Sequence, residues 1–159
     1  MANDLLSDGN IAVSWVPTIS NKSAPTVAEL NAGTKLEAEY LTPDGLDITP
    51  ETGAVDTSSL GSTFNTSAAG RRGYETNLKA KRKTTGDALY NLATFRAEGF
   101  IVVRRTTLAT AAWAIGQKVE VYPVQLGELA YDPPEENSVT KYTIPTFITA
   151  EPDTRATVA

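Results

Sequence analysis

Three groups of residues in this chain carry side chains able to do chemistry. The first is carboxylate: Asp132, Glu135 and Glu136 within DPPEEN, and Glu37, Glu39 and Glu120 elsewhere. Carboxylates held together bind a divalent cation or divide into a general acid and a general base. DPPEEN lacks the spacing of a cation loop and reads more simply as a solvated turn. Nothing in the sequence brings two of the other three together. The second group is cationic: Arg71, Arg72, Lys79, Lys81, Arg82 and Lys83 could follow a phosphate backbone. Only Tyr74 interleaves them, so platforms for base stacking are scarce. The third group is a set of short matches. ITPETG at 48–53 resembles a sortase signal, with Thr49 where leucine is wanted and no apolar anchor after it. Asn21-Lys22-Ser23 and Asn65-Thr66-Ser67 match glycosylation sequons without a secretory leader ahead of them. GRRG at 70–73 lacks the Gly-Lys-Ser/Thr ending and the strand-to-helix setting of a phosphate loop.

Composition narrows the chemistry further. There is no histidine, so the commonest base near neutral pH and the commonest metal ligand are missing. There is no cysteine, which removes disulfides, thiol nucleophiles and thiolate metal sites. We therefore expect no enzyme, no cofactor and no metal. The first residues, MANDLLSDGN, form no secretory signal, and no apolar run approaches the ~20 residues that span a bilayer. The expectation is a soluble protein without a membrane role, made in a cytoplasm. At 159 residues the chain is long enough for one domain, 1–159, with its own core.

Charge is unevenly placed. The whole chain has a formal charge of −5, yet residues 71–105 hold nine basic and three acidic groups, a local +6, which leaves −11 on the rest. These charges could be no more than solvated faces. The sharper reading is that opposite faces attract between copies of the chain.

The elements that must position these groups are mostly strands. IAVSWVPTI at 11–19 places Ile11, Val13 and Trp15 on one face, with Pro17 near an end. A connector with room for one helical turn leads to TKLEAEYL. There Leu36, Ala38 and Tyr40 alternate with Lys35, Glu37 and Glu39, as in a strand. Residues 42–73 are rich in Gly, Pro, Ser, Thr and Asp, and no period lasts long enough to define an element. A loop this long is a wrong assignment, a disordered insert, or a segment that orders against something else. The spaced Leu46, Ile48, Leu60 and Phe64 favour the last. YETNLKAKRK reads as a strand. Thr84, Thr85 or Asp87 caps a helix of about three turns, with Ala88, Leu89, Leu92, Ala93 and Phe95 on its apolar face and Gly99 past its end. FIVVRRT, KVEVYPVQLGEL and KYTIPTFITA complete six strands, with TLATAAWAIGQ as a loop and YDPPEENSVTK as a polar turn. Polar ends, 1–10 and 150–159, flank them. The expected fold is mainly β: two packed sheets, a sandwich or partly closed barrel, flanked by one helix and interrupted by a long loop.

Read together, DTSSLGSTFNTSAAGRRGYETNLKAKRK, the short helix, GFIVVRR, GQKVEVYPVQLGEL and ENSVTKYTIPTFIT resemble a major tail protein of long-tailed, non-contractile bacteriophages. The resemblance spans about 24–158 and looks closest to phages of actinobacteria. It implies a tail tube fold, with six subunits in a ring and rings stacked head to tail into a hollow tube in the virion tail, assembled in the host cytoplasm. Sheet strands would line a channel that passes DNA and the tape measure protein without binding them specifically. Tail terminator and tail tip proteins would meet the ends of the tube. The loop at 42–73 would reach a neighbouring subunit.

In that setting Leu46, Ile48, Leu60, Phe64, Arg71, Arg72, Lys79, Lys81 and Lys83 are candidate interface residues. Glu37, Glu39 and Glu120 are candidates for the channel wall, because they lie on polar faces of predicted strands. The alternatives are another virion component, such as a tail terminator or head decoration protein, or a nucleic-acid-binding module that uses 71–83.

Overall fold

The computed structural model describes residues 3–159. Its elements in chain order are β1 (Ala12–Val16), α1 (Val27–Asn31), β2 (Thr34–Lys35), β3 (Leu41–Asp56), β4 (Ser67–Lys81), α2 (Ala88–Leu92), β5 (Glu98–Arg104), β6 (Lys118–Leu126), β7 (Ala130–Tyr131), β8 (Lys141–Ile148) and β9 (Asp153–Thr157). The strands form one antiparallel sheet in the order β2-β1-β5-β6-β8-β4-β3, with β7 on β8 and β9 on β6. The mainly-β expectation holds. Residues from both ends of this order, Val13 and Trp15 on β1 and Leu41 and Leu78 on β3 and β4, share one core cluster. The sheet therefore curls onto itself around that core, and Leu89 and Ala93 of the α2 segment close it.

Period-2 alternation sends the other face of the same strands into a second core. On β5, Ile101 and Val103 enter the first cluster and Val102 the second. On β6, Tyr122, Val124 and Leu126 face one way, and Val119 and Val121 the other. Leu30 of α1, Trp113, Ala156 and Val158 cover the second side. A strand buried on both faces reads as a continuous apolar run, which is why FIVV carries no polar break. Pro123 sits within β6, where its missing N–H could have broken a ladder. It falls where β6 changes partner, from β9 through Val121 to β8 from Val124 onward. Its carbonyl accepts from Thr149 at 3.0 Å on that side, so the absent donor faces the corner between the two partners.

Four expectations change. TKLEAEYL is a strand only at Thr34–Lys35 and at its last residue, Leu41, where β3 begins. Beyond it, the amides of Tyr40 and Leu41 both return to the Leu36 carbonyl. This tight turn buries Leu36 and Tyr40 and leaves Ala38 outside. A spacing of four residues satisfies a turn as well as a strand, and the turn's own hydrogen bonds decide the case.

Residues 42–73 are not structureless, since most of them belong to β3 and β4. The helix after Thr84 has one turn and a half rather than three. Asp87 is not free to cap it, because its carboxylate binds Arg82 and the Lys83 amide. Ala93 leaves helical geometry, and Arg96 takes a left-handed φ of 64° so that the chain can turn into β5. Phe95 consequently points outward instead of inward. Finally, the polar tail from 150 contains β9, and it buries Ala156 on that strand and Val158 just after it. In the N-terminal arm expected at 1–10, residues 1 and 2 lie outside the described residues, and 3–9 are exposed.

Arg104 is the one fully buried cation among the described residues. Its Nη2 donates to the carbonyls of Leu108 (2.8 Å) and Ala111 (2.9 Å), and its Nη1 to Gln117 Oε1 (3.1 Å) and the Ala112 carbonyl (3.3 Å). The guanidinium also lies 4.7 Å from the Trp113 ring centroid. Burial lowers its pKa from the usual arginine value, and nearby Glu37 works the other way. One planar fork thus gathers the loop between β5 and β6, a geometry that lysine cannot copy. Arg104→Ala would strip four acceptors of their donor and leave a cavity. We expect a loss of about 3 kcal/mol and a melting temperature lower by roughly 6–12 °C. A melting temperature unchanged by the substitution would contradict this role.

Candidate assembly surface

β3 and β4 form a ribbon that starts inside the protein and ends in solvent. Leu46 pairs with Leu78 and Ile48 with Thr76 in the ladder. Leu78 and Thr76 are buried, and Leu46 and Ile48 pack against the main core. Before that point the chain must loop out, because Leu41 to Leu46 opposes only Ala80 to Leu78. Gly45 makes this fit, since a Cβ there would lie 2.2 Å from the Lys79 carbonyl oxygen. The next rung, Pro50 opposite Tyr74, keeps one partly covered ring, with Tyr74 edge-on to Tyr122 at 6.0 Å. From there to Asp56 every residue of β3 is exposed. The eight steps from Ile48 to Asp56 extend roughly 27 Å at ~3.4 Å per residue.

The two faces of this arm differ. Leu46, Ile48 and Pro50 continue the core side. Asp47, Thr49 and Glu51, opposite Asn77, Glu75 and Gly73, form a polar face with three carboxylates. A bulge between Thr52 and Ala54 sets Gly53 against both Gly70 and Arg71, which sharpens the local twist.

The tip, 57–66, carries no charge. Hydroxyls build it. Thr57 Oγ1 donates to Thr66 Oγ1 at 2.8 Å, Ser58 Oγ accepts from the Thr66 amide at 3.0 Å, and Ser62 Oγ accepts from the Phe64 amide at 3.1 Å. Held this way, Leu60 is fully exposed and Phe64 is 74% exposed. Of the four apolar residues singled out in the loop, two are therefore rooted in their own core and two are presented to solvent.

The cationic segment does not stay together. Arg72 pairs with Glu151 at the root of the arm. Lys79 pairs with Asp132 at 3.1 Å, and this contact raises the lysine pKa and lowers that of the carboxyl. Asp132 is also bonded by Thr143, so the first carboxylate of DPPEEN serves the fold. Arg82 pairs with Asp87 and stacks over the Tyr90 ring at 3.4 Å. Arg105 pairs with Glu120 at 2.6 Å. Four of the nine basic groups of 71–105 are thus paired within the chain, and Arg104 is buried. Arg71 and Lys83 have no ion pair among the described residues. Lys81 has none either, and it stands directly opposite Lys141 on β8, a like-charge arrangement that costs energy.

The three channel candidates occupy two kinds of place. Glu37 and Glu39 lie in the turn after β2 rather than on a strand. Glu37 accepts from the Val13 amide at 3.2 Å, while Glu39 is exposed. Glu120 is on β6, where it accepts from Arg105 and from the Tyr122 hydroxyl at 2.6 Å. Burial, helped by that bond, raises the Tyr122 pKa. Val13, Val103 and Glu120 are successive partners across β1, β5 and β6. Glu37 and Glu120 therefore lie at one level of the sheet, two strands apart.

Sequence reasoning missed the acidic face of the arm, although the alternation from Leu46 to Glu51 records it. It also missed the exposure of Phe95 and the burial of Arg104.

No curated protein matches the chain. A family model described as phage tail tube protein matches residues 1–159, the whole length. That family is structural, and its members assemble into the multi-subunit tube of the virion tail. Its match agrees with a mainly antiparallel β fold that extends a long arm with an unpartnered apolar tip. The chain belongs to the phage tail tube protein family.

Proposed function

We propose that six copies of the chain close into a ring and that rings stack head to tail into the conduit for DNA ejection. The observation that supports this best is the arm. It projects roughly 27 Å from its last core contact, and its hydroxyl-bonded tip presents Leu60 and Phe64 to solvent, with no partner among the described residues. Burying each against a neighbour would contribute roughly 2 kcal/mol. Because the tip is already built, little further ordering opposes docking. An asymmetric contact of this kind, repeated without closing, generates a filament. Arg71, Lys81 and Lys83, without ion pairs among the described residues, are then available to acidic surface on the next copy. Arg72 and Lys79 would join them only by exchanging partners. Glu37, Glu39 and Glu120 remain candidates for a channel wall that repels DNA, with the tape measure protein inside the same channel. Terminator and tip proteins would cap the two ends of a tube assembled in the host cytoplasm. A host among the actinobacteria rests on the phrase-level resemblance alone. The subunit carries out no catalysis in this reading. The competing nucleic-acid module would need 71–83 as a continuous cationic track, and the pairing of Arg72, Lys79 and Arg82 within the chain weighs against it. A terminator or decoration protein would stop at a closed ring.

Two experiments test the proposal. Thr52 and Arg72 are ladder partners, so replacing 53–71 with Asn-Gly closes a two-residue hairpin and keeps the root of the arm. By negative-stain electron microscopy the full chain should form hollow tubes at high concentration, and the shortened chain should stay folded without forming them. Long tubes from the shortened chain would show that the arm is dispensable. The second is Arg71→Glu together with Lys81→Glu. The latter creates an opposite-charge pair with Lys141, so thermal stability should hold or rise slightly. Assembly should weaken, most clearly at low salt. Equal losses of stability and assembly would assign these cations to the fold instead.

A further inference from the structure

One face of the sheet is covered over only part of its width. On β5 and β6 it is the face of Val102, Val119 and Val121, which Leu30 of α1, Trp113 and Ala156 of β9 close off as the second core. Gln125 continues that face along β6 and stands opposite Phe147 of β8. From β8 onward the face lies open. Phe147 is 57% exposed, and Glu75 and Asn77 of β4 are exposed beside it. Gly127 makes room for the ring, since a Cβ there would lie 3.1 Å from Phe147 Cε2 and 3.3 Å from Pro145 Cβ.

The open face is complementary to itself. β4 and β8 are antiparallel, with Leu78 opposite Ile144 and Lys81 opposite Lys141. Outward residues run Glu75, Asn77, Lys79, Lys81 along β4 and, beside them, Phe147, Pro145, Thr143, Lys141 along β8. Lys79 is neutralised by Asp132. Asp44 and Glu135 lie near Lys79 and temper this end of the face. Glu75, Lys81 and Lys141 have no ion pair among the described residues, and the two lysines repel each other as direct neighbours. The Leu78–Ile144 pair is the midpoint of this pattern. A second copy turned over about that pair, strand on strand and antiparallel, sets Lys81 on Glu75, Lys141 on the Phe147 ring and Thr143 on Pro145, each contact made twice. We propose that this face is a two-fold contact between copies, which holds free subunits as a closed dimer. The patch runs about 20 Å along the strands at ~3.4 Å per residue and is only a few strands wide, smaller than a standard interface, so the dimer is weak and reversible. A closed pair cannot extend into a filament. It also covers Lys81, which sets the dimer in competition with the tube. That competition, unlike the dimer itself, rests on the stacking proposed above.

Reciprocal exchange of charge tests the contact and keeps its pairing intact. Glu75→Lys and Lys81→Glu are made in separate chains of different mass. Glu75 is exposed, and Lys81→Glu gives Lys141 an opposite charge, so both chains should fold and melt close to the unaltered one. In its own dimer each variant sets like charges together twice, whereas the mixed pair keeps both opposite-charge contacts. Sedimentation velocity is run at low salt, below the concentration at which tubes form. The unaltered chain should dimerise, and each variant alone should do so about tenfold more weakly. The mixture should recover the dimer, with the intermediate mass of a heterodimer by native mass spectrometry. A variant that dimerises alone like the unaltered chain, a mixture that stays monomeric, or an unaltered chain that passes from monomer to tube without a dimer would overturn the contact and leave the stacking intact. With its own dimer weakened, Glu75→Lys should form tubes at a lower concentration than the unaltered chain, and an equal or higher threshold would overturn the competition. Dimers of the unaltered chain that never give way to tubes would overturn the stacking alone.

Discussion

Leu46 and Leu78 face each other across the β3–β4 ladder, and the outward half of the molecule depends on their burial. A two-stranded ribbon alone in water is marginal. Its register is weakly specified unless one face is buried, because a slip of one residue would exchange the two faces. Here the root supplies that burial. Leu46, Ile48, Thr76 and Leu78 fix which residues point toward the core, and the ladder carries the choice outward through Pro50 and Tyr74. The polar face, the placement of the bulge at Gly53 and the orientation of the tip all follow. An arm rooted this way is rigid enough to aim and exposed enough to need a partner.

The body of the fold serves the same end by other means. The middle strands are buried on both faces, so β1, β5 and β6 belong to two cores at once. That arrangement leaves the loops at the two ends of the sheet without layers of their own, and each end is organised by a specific device. At one end Arg104 gathers a loop around a buried guanidinium. At the other, Asp87 gives up the helix cap to hold Arg82 and the Lys83 amide, and Arg96 turns sharply into β5. Such ends are shaped by tertiary contacts rather than by local preference.

Much of this was legible in the sequence, and the rest was hidden for physical reasons. FIVVRR and KVEVYPVQL read as strands because β-branched runs have few alternatives. The arm did not, because glycines and Pro50 interrupt a pattern that the alternation of Leu46, Ile48 and Pro50 with Asp47, Thr49 and Glu51 still carries. The helix was over-extended because Phe95 falls at a helical spacing, while the competing bonds to Leu126 lie far away in the chain. The tail escaped notice because β9 buries only Ala156 and, just after it, Val158, too few apolar residues to announce a strand. Charge misled most. The basic excess of 71–105 is real in sequence, but its partners Asp132 and Glu151 come from segments that only the fold brings near. Of the interface candidates, Leu60 and Phe64 are exposed, whereas Leu46 and Ile48 pack against the core at the root.

The central claim is that the arm is built for a neighbouring copy. Amide hydrogen exchange, compared between the free chain and assembled tubes, measures this most directly. In the free chain, exchange should be fast through 50–73 and slow at 76–80, where β4 lies between β3 and β8. On assembly the account predicts new protection across the tip and outer arm, centred on 57–73, with little change at 76–80. Tubes in which the amides of 57–73 exchange as fast as in the free chain would contradict it.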